Sequence, residues 1–142
     1  MSTIYPQLKL ENQLCFPFYA CARKIVNLYT PYLKPLGLTY TQYLVMMVMW
    51  EENDTTIKNI CSRLHLDSGT LTPLIHKLEK RHILEKQICE QDERITCVKL
   101  TDEGKKLQEK AKDIPMKVGS CVHVSEEEAA LLYTTLYKIL NN

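Results

Sequence analysis

The stretch Leu66-Asp67-Ser68-Gly69-Thr70-Leu71-Thr72-Pro73-Leu74-Ile75-His76-Lys77-Leu78-Glu79 decides the fold. Leu71, Leu74, Ile75 and Leu78 recur at i, i+3, i+4 and i+7, the spacing of one apolar helix face. Asp67 is a helix-start residue, and Thr70, Pro73, His76, Lys77 and Lys80 fall on the opposite face. Small hydroxyl residues followed by bases suit a helix that enters a DNA major groove. Working outward, Ile57, Ile60, Cys61 and Leu64 form a second short amphipathic segment upstream. Downstream, Ile83 to Cys89 and Ile95 to Leu100 are β-branched-rich runs around the polar Glu90-Gln91-Asp92-Glu93-Arg94. The order helix, turn, helix, hairpin is that of a winged helix-turn-helix. The expected class is therefore mainly α with a small β-hairpin wing.

The candidate DNA-binding residues follow from this layout. They are Ser68, Thr70, Thr72, Pro73, His76, Lys77, Lys80 and Arg81 on and just after the second helix, with Asp92 and Arg94 in the wing. An arginine near a hairpin tip can reach into a narrow, electronegative minor groove. Asp92, two residues earlier, can orient that guanidinium by a bidentate bond. Pro73 conflicts with a helix starting at Asp67 or Ser68, because proline lacks a donor and crowds the preceding turn; the earlier start is retained.

The chain has 142 residues, 45% of them apolar, and a formal net charge of +1. One small domain is expected, with about 53–100 as the DNA-binding unit and about 8–35 and 101–142 as dimerisation helices. The near-zero net charge excludes a generic polycation, so DNA affinity must come from local clustering and from a dimer that sums two half-sites. No basic-then-apolar export signal opens the sequence, and the longest apolar run, Tyr43 to Trp50, is too short to span a bilayer. A cytoplasmic protein without membrane contact is expected.

A first helix is predicted from about Asn12 to Tyr32, ending before Pro35 and Gly37, and a very apolar second from Thr41 to Glu51. Asn53-Asp54-Thr55-Thr56 reads as a turn. Thr101 caps a long helix towards Lys117, broken at Gly119 and Ser120, and Ser125-Glu126-Glu127-Glu128 is a capping box. The last helix carries Leu132, Leu136, Tyr137 and Leu140 on one face. Both ends of the chain thus have amphipathic helices whose apolar faces need a partner. A second copy on a two-fold axis would present two recognition helices to a palindromic site in double-stranded DNA.

The six cysteines are Cys15, Cys21, Cys61, Cys89, Cys97 and Cys121. Without an export signal they are expected to be reduced thiols. No CxxC pair suggests zinc; the local pairs Cys61 with His65 and Cys121 with His123 give no metal-site signature, and neither metal nor cofactor is expected. Cys61 falls on an apolar face and reads as packing. With Asn12 as a cap, Cys15 lies in a helix's first turn, where orphan N–H groups favour a thiolate, the form that attacks peroxides; between Leu14 and Phe16 it reads equally as core packing.

Leu14-Cys15-Phe16, Leu38-Thr39-Tyr40-Thr41-Gln42-Tyr43-Leu44-Val45, Leu66 to Leu74 and Asp92-Glu93-Arg94 together resemble the MarR family, in its organic-hydroperoxide-responsive branch. The resemblance covers about Leu14 to Gly104. It implies a dimeric winged-helix regulator with Cys15 as the peroxide sensor. It also implies that the partner subunit's tyrosines at the positions of Tyr29 and Tyr40 hydrogen-bond that sulfur, with Tyr19 a further matching aromatic. Phenolic donors stabilise a thiolate without a permanent charge nearby. Some members of the branch resolve the oxidised sensor with a late cysteine, and Cys121 stands roughly there; others form mixed disulfides with small thiols. Pro17, His76-Lys77 and Arg81-His82 depart from the family pattern, the last where a turn glycine is common. Three other functions compete: a MarR-type sensor of a small aromatic ligand; a thiol peroxidase, for which no cysteine has a recognisable motif; and a purely structural dimerisation module, which leaves Ser68 to Arg81 and the Asp92-Glu93-Arg94 wing without a purpose.

Overall fold

The computed structural model describes residues 5–142; the first four, part of the N-terminal stretch read for an export signal, lie outside the described residues. Two short 3-10 turns, Pro6–Leu8 and Leu10–Asn12, lead into helix α1 (Cys15–Leu33). A 3-10 turn and Gly37, whose φ of 66° is left-handed, then turn the chain into α2 (Tyr40–Glu52). Thr39 caps α2 in a full capping box with Gln42. That box also explains how Gln42 is buried at low cost: its Oε1 accepts from the Thr39 N–H at 3.0 Å.

α3 (Ile57–Leu64) and α4 (Ser68–Lys80) form the helix pair, capped by Thr56 and Asp67. The wing is β2 (Leu84–Cys89) and β3 (Asp92–Leu100). Three residues before α3 form a strand, β1 (Asp54–Thr56), and not the turn their polarity suggests. It pairs antiparallel with β3, giving the order β1-β3-β2, with Thr56 opposite Cys97. Short polar segments become strands when a neighbouring edge offers backbone partners, a long-range effect that local propensity does not register.

α1 starts later than predicted, and Asn12 does not cap it. The cap position is Leu14, without a side-chain bond, while the Asn12 amide donates to the Pro6 carbonyl at 2.7 Å. The long fifth helix is also divided. α5 (Asp102–Ala111) ends before Pro115, and α6 (Ile114–Gly119) restarts with that proline in its first turn, where a missing donor costs nothing. α7 (Glu126–Leu140) has both arms of the Ser125–Glu128 capping box.

One core joins the end of α1, α2, α3, α4 and the wing base through Leu33, Val45, Met46, Met49, Ile60, Leu71, Ile75, Leu78, Leu84 and Val98, and α6 adds Ile114 and Val118. Cys61 packs against it, as expected from its helix face. At the wing base the Thr101 hydroxyl donates to the His82 and Ile83 carbonyls, and the Trp50 indole N–H donates to the Gly104 carbonyl at 2.9 Å. Gly104 is required there. A Cβ would overlap Leu100 Cδ1 and come within 2.6 Å of the Ile83 carbonyl oxygen, which Thr101 already holds with its hydroxyl and backbone N–H. Gly104→Ala is therefore expected to destabilise by about 1–2 kcal/mol despite its better helix propensity, lowering the melting temperature by roughly 3–8 °C. Thermal melting by circular dichroism checks this; an unchanged or higher midpoint contradicts the packing.

The first half of α1 and all of α7 stay outside that core. α7 has no buried residue. The chain exposes 10743 Å², against about 7,500 Å² for a self-contained globule of this mass. Part of the excess lies where α1 and α7 present Phe16, Phe18, Leu131, Leu132 and Leu136 to solvent, and part in the N-terminal turns with Leu8 and Leu10.

Candidate DNA interface and redox site

Every residue proposed for the α4 face is exposed, and the apolar stripe below it is not. Leu71, Ile75 and Leu78 are buried, while Ser68, Thr70, Thr72, Pro73, His76, Lys77 and Lys80 face outward. Asp67 caps the helix by accepting from the Thr70 N–H at 2.7 Å, and that bond holds its carboxyl below the usual range. The Thr72 hydroxyl donates to the Ser68 carbonyl at 2.7 Å, which fixes its rotamer. Pro73 lies inside the helix after all. It removes only the donor that would reach the Gly69 carbonyl, on a turn whose small residues leave the ring room. Glu79 accepts from the Lys86 N–H at 3.1 Å and lies 4.0 Å from His76 Nδ1, tying α4 to β2.

In the wing, Arg94 forks onto Asp92. Its Nε and Nη2 donate to the two carboxylate oxygens at 3.1 and 3.2 Å, and its backbone N–H donates to the first at 3.0 Å. The guanidinium holds the Asp92 carboxyl below its ordinary range. The Arg94 side chain is 90% exposed even so. The carboxylate aims the arginine away from the sheet without burying it.

Arg81 is engaged elsewhere. Its guanidinium donates to the Gly37 and Leu36 carbonyls at 2.6 and 2.9 Å, so it clamps the end of the recognition helix to the α1–α2 turn. Two of its donors are thus engaged by backbone carbonyls while the residue itself stays exposed, so it positions the helix end. Its neighbour His82 adopts the left-handed conformation at φ 58°, the turn a glycine would make freely, and its carbonyl is held by Thr101.

Cys15 is the first residue of α1 and is exposed. Tyr29 lies on the same helix and Tyr40 opens α2; their rings meet at a tilt of 54° with centroids 4.9 Å apart. Tyr43, which the sequence reading passed over, joins them at 5.7 Å from Tyr29 and 6.3 Å from Tyr40. The i, i+3 spacing of Tyr40 and Tyr43 was its available signal. Burial first, and then the nearby Tyr29, raise the Tyr40 phenol above its ordinary value, and the same causes raise Tyr43. Both hydroxyls therefore stay protonated and able to donate at neutral pH. Within one chain this cluster is out of reach of Cys15, because fourteen residues of helix separate Cys15 from Tyr29 by roughly 21 Å. Tyr19 is exposed with the Arg23 guanidinium 5.6 Å from its ring centre. Cys121 follows α6, exposed, its thiol directed at the Lys117 carbonyl.

Cys89 and Cys97 are not free thiols. They are joined by a disulfide across β2 and β3, their Cα atoms 5.3 Å apart. Spacing along the chain gave no sign of this, because hairpin register alone decides which residues meet.

The family model described as transcriptional regulator SarA/Rot matches residues 27–111. The chain is a MarR-type regulator of the SarA/Rot family. This MarR-type chain is 39% identical to the organic hydroperoxide resistance transcriptional regulator of Bacillus subtilis over 140 residues, 99% of this chain and 95% of the relative. It is 42% identical to the regulator SarZ of Staphylococcus epidermidis over 127 residues, covering 89% and 86% of the two chains. Among solved structures it is similar to reduced AbfR bound to DNA, with a TM-score of 0.77 and 35% identity over 95% of this chain and 94% of that one. The disulfide-formed state of AbfR fits less well, at a TM-score of 0.66. No helix among the described residues is long and apolar enough to cross a membrane.

Proposed function

We propose that this MarR-type protein is a homodimeric, DNA-binding transcriptional regulator, a repressor, which senses organic hydroperoxides through Cys15 and releases DNA when that sulfur is oxidised. One observation carries the reading: Cys15 stands exposed at the head of α1, roughly 21 Å along the helix from its own Tyr29–Tyr40–Tyr43 cluster. Within one chain only Tyr19, one helical turn on, lies near the sulfur; the phenols of the Tyr29–Tyr40–Tyr43 cluster can reach it only from a second subunit, so the sensor and the dimer are one device. The Bacillus relative, named for organic hydroperoxide resistance, supports the oxidant class, and the DNA-bound form of AbfR supports the partner.

The mechanism follows from the chemistry. A thiolate attacks the distal peroxide oxygen, the alcohol leaves, and a sulfenic acid remains. Phenol donors placed for a thiolate then face a larger, polar group and must shift. Tyr40 opens α2 directly after the turn that Arg81 clamps to the end of α4, so a displaced tyrosine cluster moves the recognition helix. By linkage, an oxidised state that binds DNA weakly makes reduced protein the DNA-binding form. Cys121 of the partner subunit is the proposed resolving thiol, giving an intersubunit disulfide with Cys15. The DNA-contact set is proposed to be Ser68, Thr70, Thr72, Pro73, His76, Lys77 and Lys80 on α4 with Arg94 of the wing, oriented by Asp92.

The test is fluorescence anisotropy of reduced protein on its own upstream DNA, titrated with cumene hydroperoxide. Wild type is expected to lose about 10- to 100-fold in affinity, and Cys15→Ser to stay bound. If both proteins are released by peroxide, or neither is, the redox assignment fails. A second reading, a small aromatic ligand as effector, is favoured by the groove between Val26, Thr30, Leu33, Leu38 and Tyr40 beside the same cluster. It predicts that Cys15→Ser still answers to its inducer.

A further inference from the structure

The wing cysteines lie on the wrong face for packing. Along β3, Val98 and Leu100 are buried and point to the core with Leu84, so alternation sends Cys97 and Lys99 to the solvent side, opposite Gln87 and Glu85. Cys89 sits where the β2–β3 register shifts, between Ile88 and Cys89, and reaches diagonally to Cys97. Neither sulfur fills the core, and both are partly open to dissolved oxidants. The segment they close, residues 90–96, is the wing tip that carries Asp92 and Arg94.

We propose that Cys89 and Cys97 form a second redox site, independent of Cys15, in which oxidation by a hydroperoxide locks the wing tip and tightens DNA binding. The separation of their Cα atoms suits a disulfide without backbone movement. In a reducing compartment such a bond between accessible thiols is a switching device more often than a structural one. The chemistry balances with the hydroperoxide as the two-electron oxidant. One thiol attacks the distal oxygen, the O–O bond breaks, and sulfenic acid and alcohol form. The second thiol then displaces the sulfenic oxygen as water, leaving the S–S bond. The two electrons lost by the sulfurs end in the alcohol and the water.

The consequence is mechanical. Apart from the disulfide, the hairpin tip beyond the register shift carries the Asp92–Arg94 fork and the Cys89–Asp92 pairing. Oxidised, it is a small closed ring on one edge of β3, and less freedom remains to be lost when Arg94 enters a groove. Restricting a binding loop in its bound conformation raises affinity by lowering that ordering cost. The wing pair therefore sets the affinity from which the Cys15 switch releases DNA.

The experiment uses full-length Cys15→Ser/Cys121→Ser protein, in which the proposed sensor and its resolving partner are silent. It is treated with cumene hydroperoxide, quenched with N-ethylmaleimide and mapped by mass spectrometry. The expected product is an intrachain disulfide linking the peptides that contain Cys89 and Cys97, reversed by dithiothreitol, without covalent dimer. Anisotropy on upstream DNA should tighten about three- to tenfold on oxidation. Adding Cys97→Ser, or separately Cys89→Ser, should abolish both changes, with circular dichroism confirming that each variant is folded. If no Cys89–Cys97 bond forms, or if it forms and affinity does not rise, the proposal is overturned. Because Cys15 is absent throughout, that result leaves the sensor reading untouched.

Discussion

Replacing Leu132 and Leu136 of α7 together by glutamate is expected to turn the dimer into a folded monomer and to lower operator affinity by at least about 100-fold. The two leucines are 49% and 40% exposed in the single chain and face a groove shared with Phe18 of α1. Because α7 buries nothing within its own subunit, the substitutions cost the monomer little. In the dimer the account is different. Burying each leucine contributes about 1.5–3 kcal/mol, and two-fold symmetry makes every loss count twice. Four carboxylates placed in that apolar contact would also have to shed water without a counter-charge. Once the subunits part, one half-site no longer raises the effective concentration of its partner at the other. Light scattering reads the mass, circular dichroism the fold, and anisotropy the affinity. A double variant that remains dimeric would show that α7 is not the interface.

The second large effect is at the wing. Arg94→Ala is expected to weaken DNA binding by about 10- to 100-fold, since the dimer loses an arginine at each half-site. The slope of log affinity against log salt should fall by about 1 per arginine removed, whereas a lost base contact leaves that slope nearly unchanged. Asp92→Asn provides the finer test. It keeps the arginine but removes the carboxylate that receives both of its donors, so a smaller loss of a fewfold is expected, with the salt slope retained. Both side chains are on the surface, and thermal stability should not change. Full affinity in Arg94→Ala, with an unaltered slope, would remove the wing from the interface.

Much of this molecule could be read from local chemistry. The Leu71–Leu74–Ile75–Leu78 stripe, the Asp67 cap and the bases between them mark α4 and its exposed face without reference to anything distant. The Thr39, Thr101 and Ser125 caps each answer a donor three residues away. The Asp92–Arg94 fork is equally local and is found as expected. Errors gathered where distance along the chain is large or where a cap had a choice. Asn12 was free to bond backward to Pro6, so the first helix begins at Cys15. Arg81 reads locally as one more base of the recognition helix, and what no local pattern shows is that its guanidinium also bonds carbonyls 44 and 45 positions earlier.

The sequence by itself determined the winged helix-turn-helix, the faces of its helices, and the residue types offered to DNA and to an oxidant. Periodicity and capping act within a turn or two, and the chain carries those signals wherever it goes. Tertiary structure alone decided that Asp54–Thr56 is a strand, that Tyr43 completes the cluster of Tyr29 and Tyr40, and that Cys89 meets Cys97. It also decided that Cys15 stands apart from every tyrosine of that cluster in its own subunit. These facts depend on strand register and helix length, which bring together or hold apart groups that no local pattern relates.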